Sequence, residues 1–353
     1  MIDRRDTVFI DGAEVGKGAP VWIIAEAGVN HNGDLGRALE LIHVAKECGA
    51  DCVKFQTYRT ENLVTAASPK AQYQLETTLR GESQFEMLKK LELDVGAFAR
   101  LAEECRKADI TFLSTPYGVE DIDLLESLDT PAYKIASALS VEPLLLERTA
   151  ATGKPVLLST GMCTLEECRA GVDTLRNAGC DDIVALQCTT DYPSRLEDAN
   201  LRAIAGLRET LGVPVGYSDH TQGLTATIAA VALGACTIER HFTLDRSLPG
   251  PDHSASSDPV EMRELVGKVR DVERALGSTL KSPTERELLN KTQMRRGIVA
   301  ACSLPENRTL ELNDLAFKRP LAGVSPDRFK DLIGRRLKRA IEQDKPITWD
   351  DVA

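Results

Sequence analysis

Eight short apolar runs, each closing on a polar or charged residue, constrain this chain more than any other feature. They are VWIIAEA (21–27), CVKFQ (52–56), TFLST (111–115), AYKIAS (132–137), VLLST (156–160), IVALQCTT (183–190), VPVGYSDH (213–220) and CTIERH (236–241). A stretch of helical pattern follows nearly every one. Strand and helix alternating eight times predict an α/β chain whose parallel strands close into a (β/α)8 TIM barrel. In such a barrel the reactive groups gather at the C-terminal ends of the strands. Those ends carry Glu26, Lys54 and Gln56, Thr115, Lys134 and Ser137, Ser159 and Thr160, Thr189, Ser218 and His220, and His241. Two histidines, two lysines, a glutamate and several hydroxyls on one rim are the inventory of a metal-assisted enzyme acting on a phosphorylated or carboxylated anion.

The 353 residues exceed what a barrel alone requires, which is roughly 250. The division expected is a barrel over 1–280, a linker over 281–293 and a small domain over 294–353. Residues 7–18 read as a hairpin turning at Asp11-Gly12, placed to plug the N-terminal end of the barrel. The connection from Thr57 to about Asp94 is long, helical in pattern and poor in apolar residues, as a lid or substrate wall would be. The last segment holds strand-like runs (GIVAAC, AFKRP, PITWDDV) and one helix, FKDLIGRRLKRA.

No apolar run approaches the ~20 residues that span a bilayer, so no membrane partner is expected. The nine cysteines form no CxxC pair and are read as reduced, in a cytoplasmic protein. The net charge of −11 argues against nucleic acid as a partner. That charge is uneven, with 15 Lys and Arg against 11 Asp and Glu in 281–353, a local +4, which leaves −15 for the rest.

His220 and His241 close the last two runs. Neighbouring strand ends lie about 5 Å apart, so two inward imidazoles there can share one divalent ion and leave positions open for substrate and water. The opposite reading is two hydrogen-bonded histidines; the acids beside them in YSDH and GPDH favour the metal. Lys54 and Lys134 sit inside apolar strands, where an ammonium is costly unless it meets an anion. Thr115, Ser137, Ser159 and Ser218 add hydroxyls that make a plausible phosphate and carboxylate cradle, although each alone could simply cap a helix. Glu26, ionised beside a cation, could position or deprotonate a water, and a salt bridge to Lys54 is compatible with that role. His31, between Asn30 and Asn32, is either structural or lines a sugar site.

At these residues the chain resembles the sialic acid synthase family. AEAGVNHNGD, VKFQTY, ESQFEMLKKLEL, FLSTPY, KIAS, GKPVLLSTGM, VGYSDHT, ERHFTLD and PGPDHSAS recur in family order, and KRPLAGVSP resembles the signature of its antifreeze-like SAF domain. The resemblance covers roughly 20–353. It implies condensation of phosphoenolpyruvate with N-acetylmannosamine to N-acetylneuraminate and phosphate, with Mn²⁺ or Mg²⁺. It also implies a domain-swapped homodimer in which the SAF domain of one subunit caps the barrel of the other. Carried over, His220 and His241 are metal ligands. Lys54, Thr115, Lys134, Ser137, Ser159, Thr190 and Ser218 cradle phosphoenolpyruvate. Glu26, Gln56, Tyr192, Asp252 and Arg319 take sugar-side or acid–base positions, Arg319 reaching the N-acetyl group from the partner. The implied chemistry is attack of phosphoenolpyruvate C3 on a metal-polarised aldehyde, addition of water at C2 and loss of phosphate by C–O cleavage.

Three departures bear on the substrate. Leu139 stands where a site-facing glutamate is common, Thr190 where asparagine is common, and Leu321 where the SAF signature has glycine. A legionaminic acid synthase, taking 2,4-diacetamido-2,4,6-trideoxymannose, is the alternative within the family. Outside it, a non-catalytic sugar-binding or ice-binding protein would not need the full rim of Glu26, Lys54, Lys134, His220 and His241.

Overall fold

A computed structural model describes residues 5–79 and 81–353. It divides into two compact units, Met1–Gly277 and Ser278–Ala353. The first opens with a hairpin, β1 (Thr7–Ile10) against β2 (Ala13–Gly16). Eight parallel strands follow: β3 (Trp22–Gly28), β4 (Cys52–Thr57), β5 (Thr111–Pro116), β6 (Tyr133–Ile135), β7 (Val156–Ser159), β8 (Ile183–Cys188), β9 (Val215–Asp219) and β10 (Thr237–His241). Their order is β5-β4-β3-β10-β9-β8-β7-β6. The sheet curls until β5 and β6 lie side by side without a ladder between them, so the barrel is nearly closed.

The pleat assigns each residue to one of two cores. Outward side chains such as Ile23, Val53, Phe55, Phe112, Ile135, Leu158, Val215 and Ile238 pack under the helices. Inward ones at the lower end, Trp22, Ile24, Cys52, Leu113, Ala132, Leu157, Val184 and Leu186, form a separate apolar plug. Val8, Ile10 and Val15 of the hairpin complete it, as the sequence predicts. Gly216 is inward too; a Cβ there would lie 2.2 Å from the Thr237 side chain and 2.8 Å from Leu186, so only glycine leaves room for that layer. One pleat repeat further up, the inward residues become Glu26, Lys54, Lys134, Ser159, Ser218 and Glu239.

Helices are set by local signals. Asp34 caps Leu35–Glu47, its carboxylate accepting from the Arg37 amide at 2.8 Å. The long connection after β4 holds three short helices, Thr60–Leu63, Gln72–Thr77 and Gln84–Leu91. Polar staples order it where apolar content is low. The fully buried Lys70 ammonium donates to Thr78 Oγ1, the Leu79 carbonyl and Glu82 Oε1, each at 2.8 Å. Glu92 accepts from the Thr60 amide and hydroxyl at 3.1 and 2.8 Å, tying the end of the segment to its start.

The second unit has its own core, including Ile298, Leu304, Leu310, Val324, Leu337 and Ile347. Strands β11 (Gly297–Ala300) and β12 (Leu315–Lys318) pair antiparallel. Two expectations are corrected here. The run PITWDDV forms no strand, only isolated bridges at Pro346 and Val352 and a single 3-10 turn, Trp349–Asp351. FKDLIGRRLKRA is helical only over Phe329–Leu332, because Gly334 takes φ of 82° and its amide turns to the Leu310 carbonyl. The polar stretch read as a linker contains a helix, Glu285–Met294, started by a Thr284/Glu287 capping box and exposed along its length.

Candidate active site

The upper end of the barrel encloses a cavity of about 230 Å³. Its floor is a network of buried charges. Lys54 Nζ lies 2.5 Å from Glu26 Oε2, 3.8 Å from Glu239 Oε2 and 3.2 Å from Thr115 Oγ1. Lys134 Nζ lies 3.3 Å from Glu239 Oε1, which also accepts from Ser218 Oγ at 3.0 Å. Gln56 Nε2 donates to Glu26 Oε1 at 3.1 Å. The anion that the buried lysines require is thus supplied, in this state, by two glutamates.

Glu239 escaped the sequence reading. It sits two residues before His241, and a period of two puts both on the inner face; that spacing was the available signal. The two carboxylates are pushed apart. Burial, with a contribution from neighbouring Glu239, raises the pKa of Glu26 although Lys54 opposes it. Burial pulls Glu239 the same way, but Lys134 and Lys54 outweigh it and hold Glu239 low. Burial would lower Lys54, and Glu239 and Glu26 reverse this; Lys134 stays lowered by burial. Glu26 is therefore the group more ready to take a proton, and Glu239 the fixed negative charge.

Above the floor stand the imidazoles of His220 and His241, their ring centroids 5.4 Å apart. Burial lowers both pKa values, so both rings are neutral at pH 7. His220 Nδ1 meets the Thr189 carbonyl at 2.6 Å and must be the protonated nitrogen, which leaves Nε2 an acceptor, 3.3 Å from Ser218 Oγ. Buried His241 Nδ1 has no hydrogen-bond partner and lies 3.5 Å from Asp252 Oδ2. Glu239 Oε2 is also buried without a hydrogen-bond partner, whereas Glu26 Oε2 is held by Lys54 Nζ at 2.5 Å. Two neutral imidazoles beside the unsatisfied Glu239 Oε2 suit a divalent cation. Among the described residues no group of three or more His, Cys, Asp or Glu is placed to hold a metal ion.

Burial raises Asp252 to about 7, with Glu26 adding to the effect. The Tyr192 ring is 4.2 Å from that of His220 and 5.1 Å from Tyr73 of the lid. Glu26, Lys54, Gln56, Thr115, Lys134, Ser137, Ser159, Tyr192, Ser218, His220, His241 and Asp252 all line the one cavity. Other positions named from the sequence are Thr190, Arg319, Leu139 and His31. Thr190 is off the cavity wall and meets Ser137 Oγ through its hydroxyl at 3.2 Å. Arg319 belongs to the second unit. Leu139 does not face the site: a 3-10 turn, Ser137–Leu139, rotates it into the layer under the helices, where it is buried. His31 accepts from the Gly33 amide at 3.0 Å and is a turn residue, absent from the cavity lining. A larger cavity, about 850 Å³, opens at the opposite end among the loops that enter the strands, such as Lys17–Val21 and Gly212–Pro214. It holds no comparable charge network, and volume is therefore not what marks the site.

This barrel and its companion unit match known proteins. Residues 41–281 match the NeuB family and residues 295–353 the SAF domain. An N,N′-diacetyllegionaminic acid synthase of Legionella pneumophila is 41% identical over 96% of this chain and 96% of its own length. One from Campylobacter jejuni is 40% identical over 92% and 98%. The crystal structure of N-acetylneuraminic acid synthetase from Leptospira borgpetersenii, in complex with citrate, aligns with a TM-score of 0.72 at 32% identity, covering 82% of this chain and 96% of that one. The chain belongs to the NeuB family and carries a C-terminal SAF domain. It is an enzyme of the nonulosonic acid synthase class, a transferase.

Proposed function

We propose that the enzyme condenses phosphoenolpyruvate with an N-acetylated amino sugar of the mannosamine class, releasing phosphate. The observation that carries this reading is the charge balance of the floor. Lys54 and Lys134 face Glu26 and Glu239, so the four groups are close to neutral together. A phosphate and a carboxylate entering there take over the lysines and leave an excess of negative charge, which a divalent cation beside the imidazoles offsets. His220 and His241 would hold Mn²⁺ or Mg²⁺, which when bound polarises a carbonyl oxygen.

The chain's own residues do the rest. Lys54, Lys134, Thr115, Ser137, Ser159 and Ser218 grip the anion, with Thr190 steadying Ser137. Gln56, Tyr192 and Asp252 face the acceptor. Glu26 takes a proton from the water that adds at the phosphate-bearing carbon, as the C–O bond to phosphate breaks. The acceptor we favour is 2,4-diacetamido-2,4,6-trideoxymannose, because relatives 41% and 40% identical are named legionaminic acid synthases. N-acetylmannosamine, the first expectation from sequence, is the second reading, supported by a neighbour of 32% identity. None of the nine cysteines is paired in a disulfide, which supports a cytoplasmic setting.

Phosphate release from phosphoenolpyruvate, with each acceptor in turn, tests the reading. Activity should vanish with a chelator and return with Mn²⁺, and calorimetry should detect no Mn²⁺ binding to a His220→Ala, His241→Ala variant. Full turnover by that variant sinks the metal assignment. The proposed assembly is a homodimer whose SAF domain serves the partner's barrel, with Arg319 at the acceptor's N-acetyl group. The exposed Leu280, Leu288, Leu289 and Met294 around the helix Glu285–Met294 support it. Mixing Arg319→Ala chains with His241→Ala chains should restore part of the activity, and no recovery in demonstrably mixed dimers would refute it.

A further inference from the structure

Two charged side chains stand directly before the two histidines and outside the cavity. Asp219 precedes His220 at the end of β9, and Arg240 precedes His241 at the end of β10. The pleat turns both away from the barrel interior, and neither lines the cavity. Both are nonetheless buried, Asp219 at 0% exposure and Arg240 at 2%. They are register partners on the last rung of the β9–β10 ladder. Arg240 Nη1 lies 3.2 Å from Asp219 Oδ2, an ion pair without hydrogen-bond alignment.

Each partner also grips the chain that leaves its histidine. Asp219 Oδ1 accepts from the Thr221 amide and hydroxyl, both at 2.8 Å. Its Oδ2 accepts at 2.6 Å from Thr227 Oγ1, on the helix Thr225–Ala232. Arg240 Nε donates to Ser257 Oγ at 2.9 Å, and Nη2 lies 3.6 Å from Glu261 Oε1 on the helix Pro259–Leu276. Past that last rung the two histidine carbonyls turn to separate loops. His220 accepts from the Ser194 amide and His241 from the Ser257 amide, each at 2.8 Å. The ion pair is therefore the link between the two strands nearest the imidazoles.

We propose that Asp219 and Arg240 are positioning residues: as a buried pair they hold His220 and His241 at the spacing that lets both imidazoles share one divalent cation. The inference rests on the metal assignment made above. A buried ion pair adds little stability over apolar residues of the same volume. What it supplies here is a fixed separation of the two strand ends, so the imidazoles lose less freedom on meeting one ion. The acid beside His220 in YSDH thus acts behind the ligand and not as one.

Calorimetry of Mn²⁺ binding to the full chain is the test, because it reads the site without turnover. Arg240→Met should weaken Mn²⁺ binding by about tenfold or more, the low end for residues that support a metal ligand. Arg240→Lys keeps the charge and should recover part of that loss. Ser257→Ala removes only the hydroxyl that Arg240 Nε meets and should weaken Mn²⁺ binding several-fold; it is the deciding variant if Arg240→Met fails to fold. At saturating Mn²⁺ the KM for phosphoenolpyruvate should match the wild type in each, since the lysines of the floor are untouched. Unchanged Mn²⁺ binding in folded Arg240→Met, or in Ser257→Ala where the other does not fold, overturns the inference. So does an equal loss of phosphoenolpyruvate affinity, which marks a general loosening of the barrel end. A wild type that binds no Mn²⁺ overturns the metal assignment itself and the inference with it.

Discussion

The two halves of the barrel interior share the same strands and the same pleat and differ in everything else. Below, Trp22, Ile24, Cys52, Leu113, Leu157, Val184 and Leu186 close against the hairpin in a dry apolar plug. Above, one repeat along the same strands, Glu26, Lys54, Lys134 and Glu239 bury four formal charges within a few ångströms of each other. A plug of that kind is held by transfer of apolar surface from water. A buried charge network gains little or nothing over apolar residues of the same volume. The lower half therefore carries stability and the upper half carries chemistry. The fold meets the desolvation cost of the second with the first.

The largest effect should come from breaking the upper half. Lys134→Met leaves the Glu239 carboxylate with one fewer cation and removes a partner for the incoming anion. Removing one member of a buried charge pair typically costs about 2–5 kcal/mol. The KM for phosphoenolpyruvate should rise by about 100-fold or more, while that for the sugar changes little. A change confined to the sugar would reassign Lys134. The melting temperature should fall as well, because Glu239 is left buried with one cation fewer, at a cost of about 3–5 kcal/mol.

The converse perturbation is smaller. Leu157→Ala removes a fully buried inward side chain from the plug, and the cavity left should cost about 3 kcal/mol of stability. At temperatures where the variant remains folded, both KM values should match the wild type. A loss of turnover at those temperatures would mean that packing in the lower half sets the geometry of the upper one, and the separation argued here would fail.

Residues that follow the pleat were legible; those governed by turns and by partners were not. Glu26, Lys54, Lys134, Ser218 and His241 were found because each is the inward residue near the end of an apolar run. Glu239 obeys the same rule and was missed because His241 drew attention away from the position two before it. Leu139 lies past the end of β6, where a 3-10 turn breaks the alternation and no spacing tells which way it faces. The lid's helices were blurred because Lys70 and Glu92 order them through hydrogen bonds, which leave no apolar period to read. In the second unit the helix signal of FKDLIGRRLKRA runs on past Gly334, but the buried Leu332 and the amide of Gly334 turn the chain into its own core.

The smallest effect sharpens the comparison from outside the barrel. Asp121, at the start of the helix Val119–Ser127, is a buried carboxyl held by backbone amides, Tyr117 N among them at 3.3 Å, rather than by a buried lysine. Burial raises its pKa to about 6, and the amides of Tyr117 and Gly118 recover only part of the shift. Its folded value thus lies above the ordinary 3.8 of a free aspartate. The stability it contributes is complete below pH 3.8 and is lost as pH rises through about 6. The helix N-terminus favours the charge by only a few tenths of a kcal/mol to about 1, not enough to reverse the sign. Asparagine is the uncharged isostere, so Asp121→Asn should raise the melting temperature at pH 8 by on the order of 2 °C and by almost nothing at pH 4. A shift of equal size at both pH values would show that the carboxylate is not the cause. A fall at pH 8 would show that this charge, like Glu239, has a partner that compensates its burial.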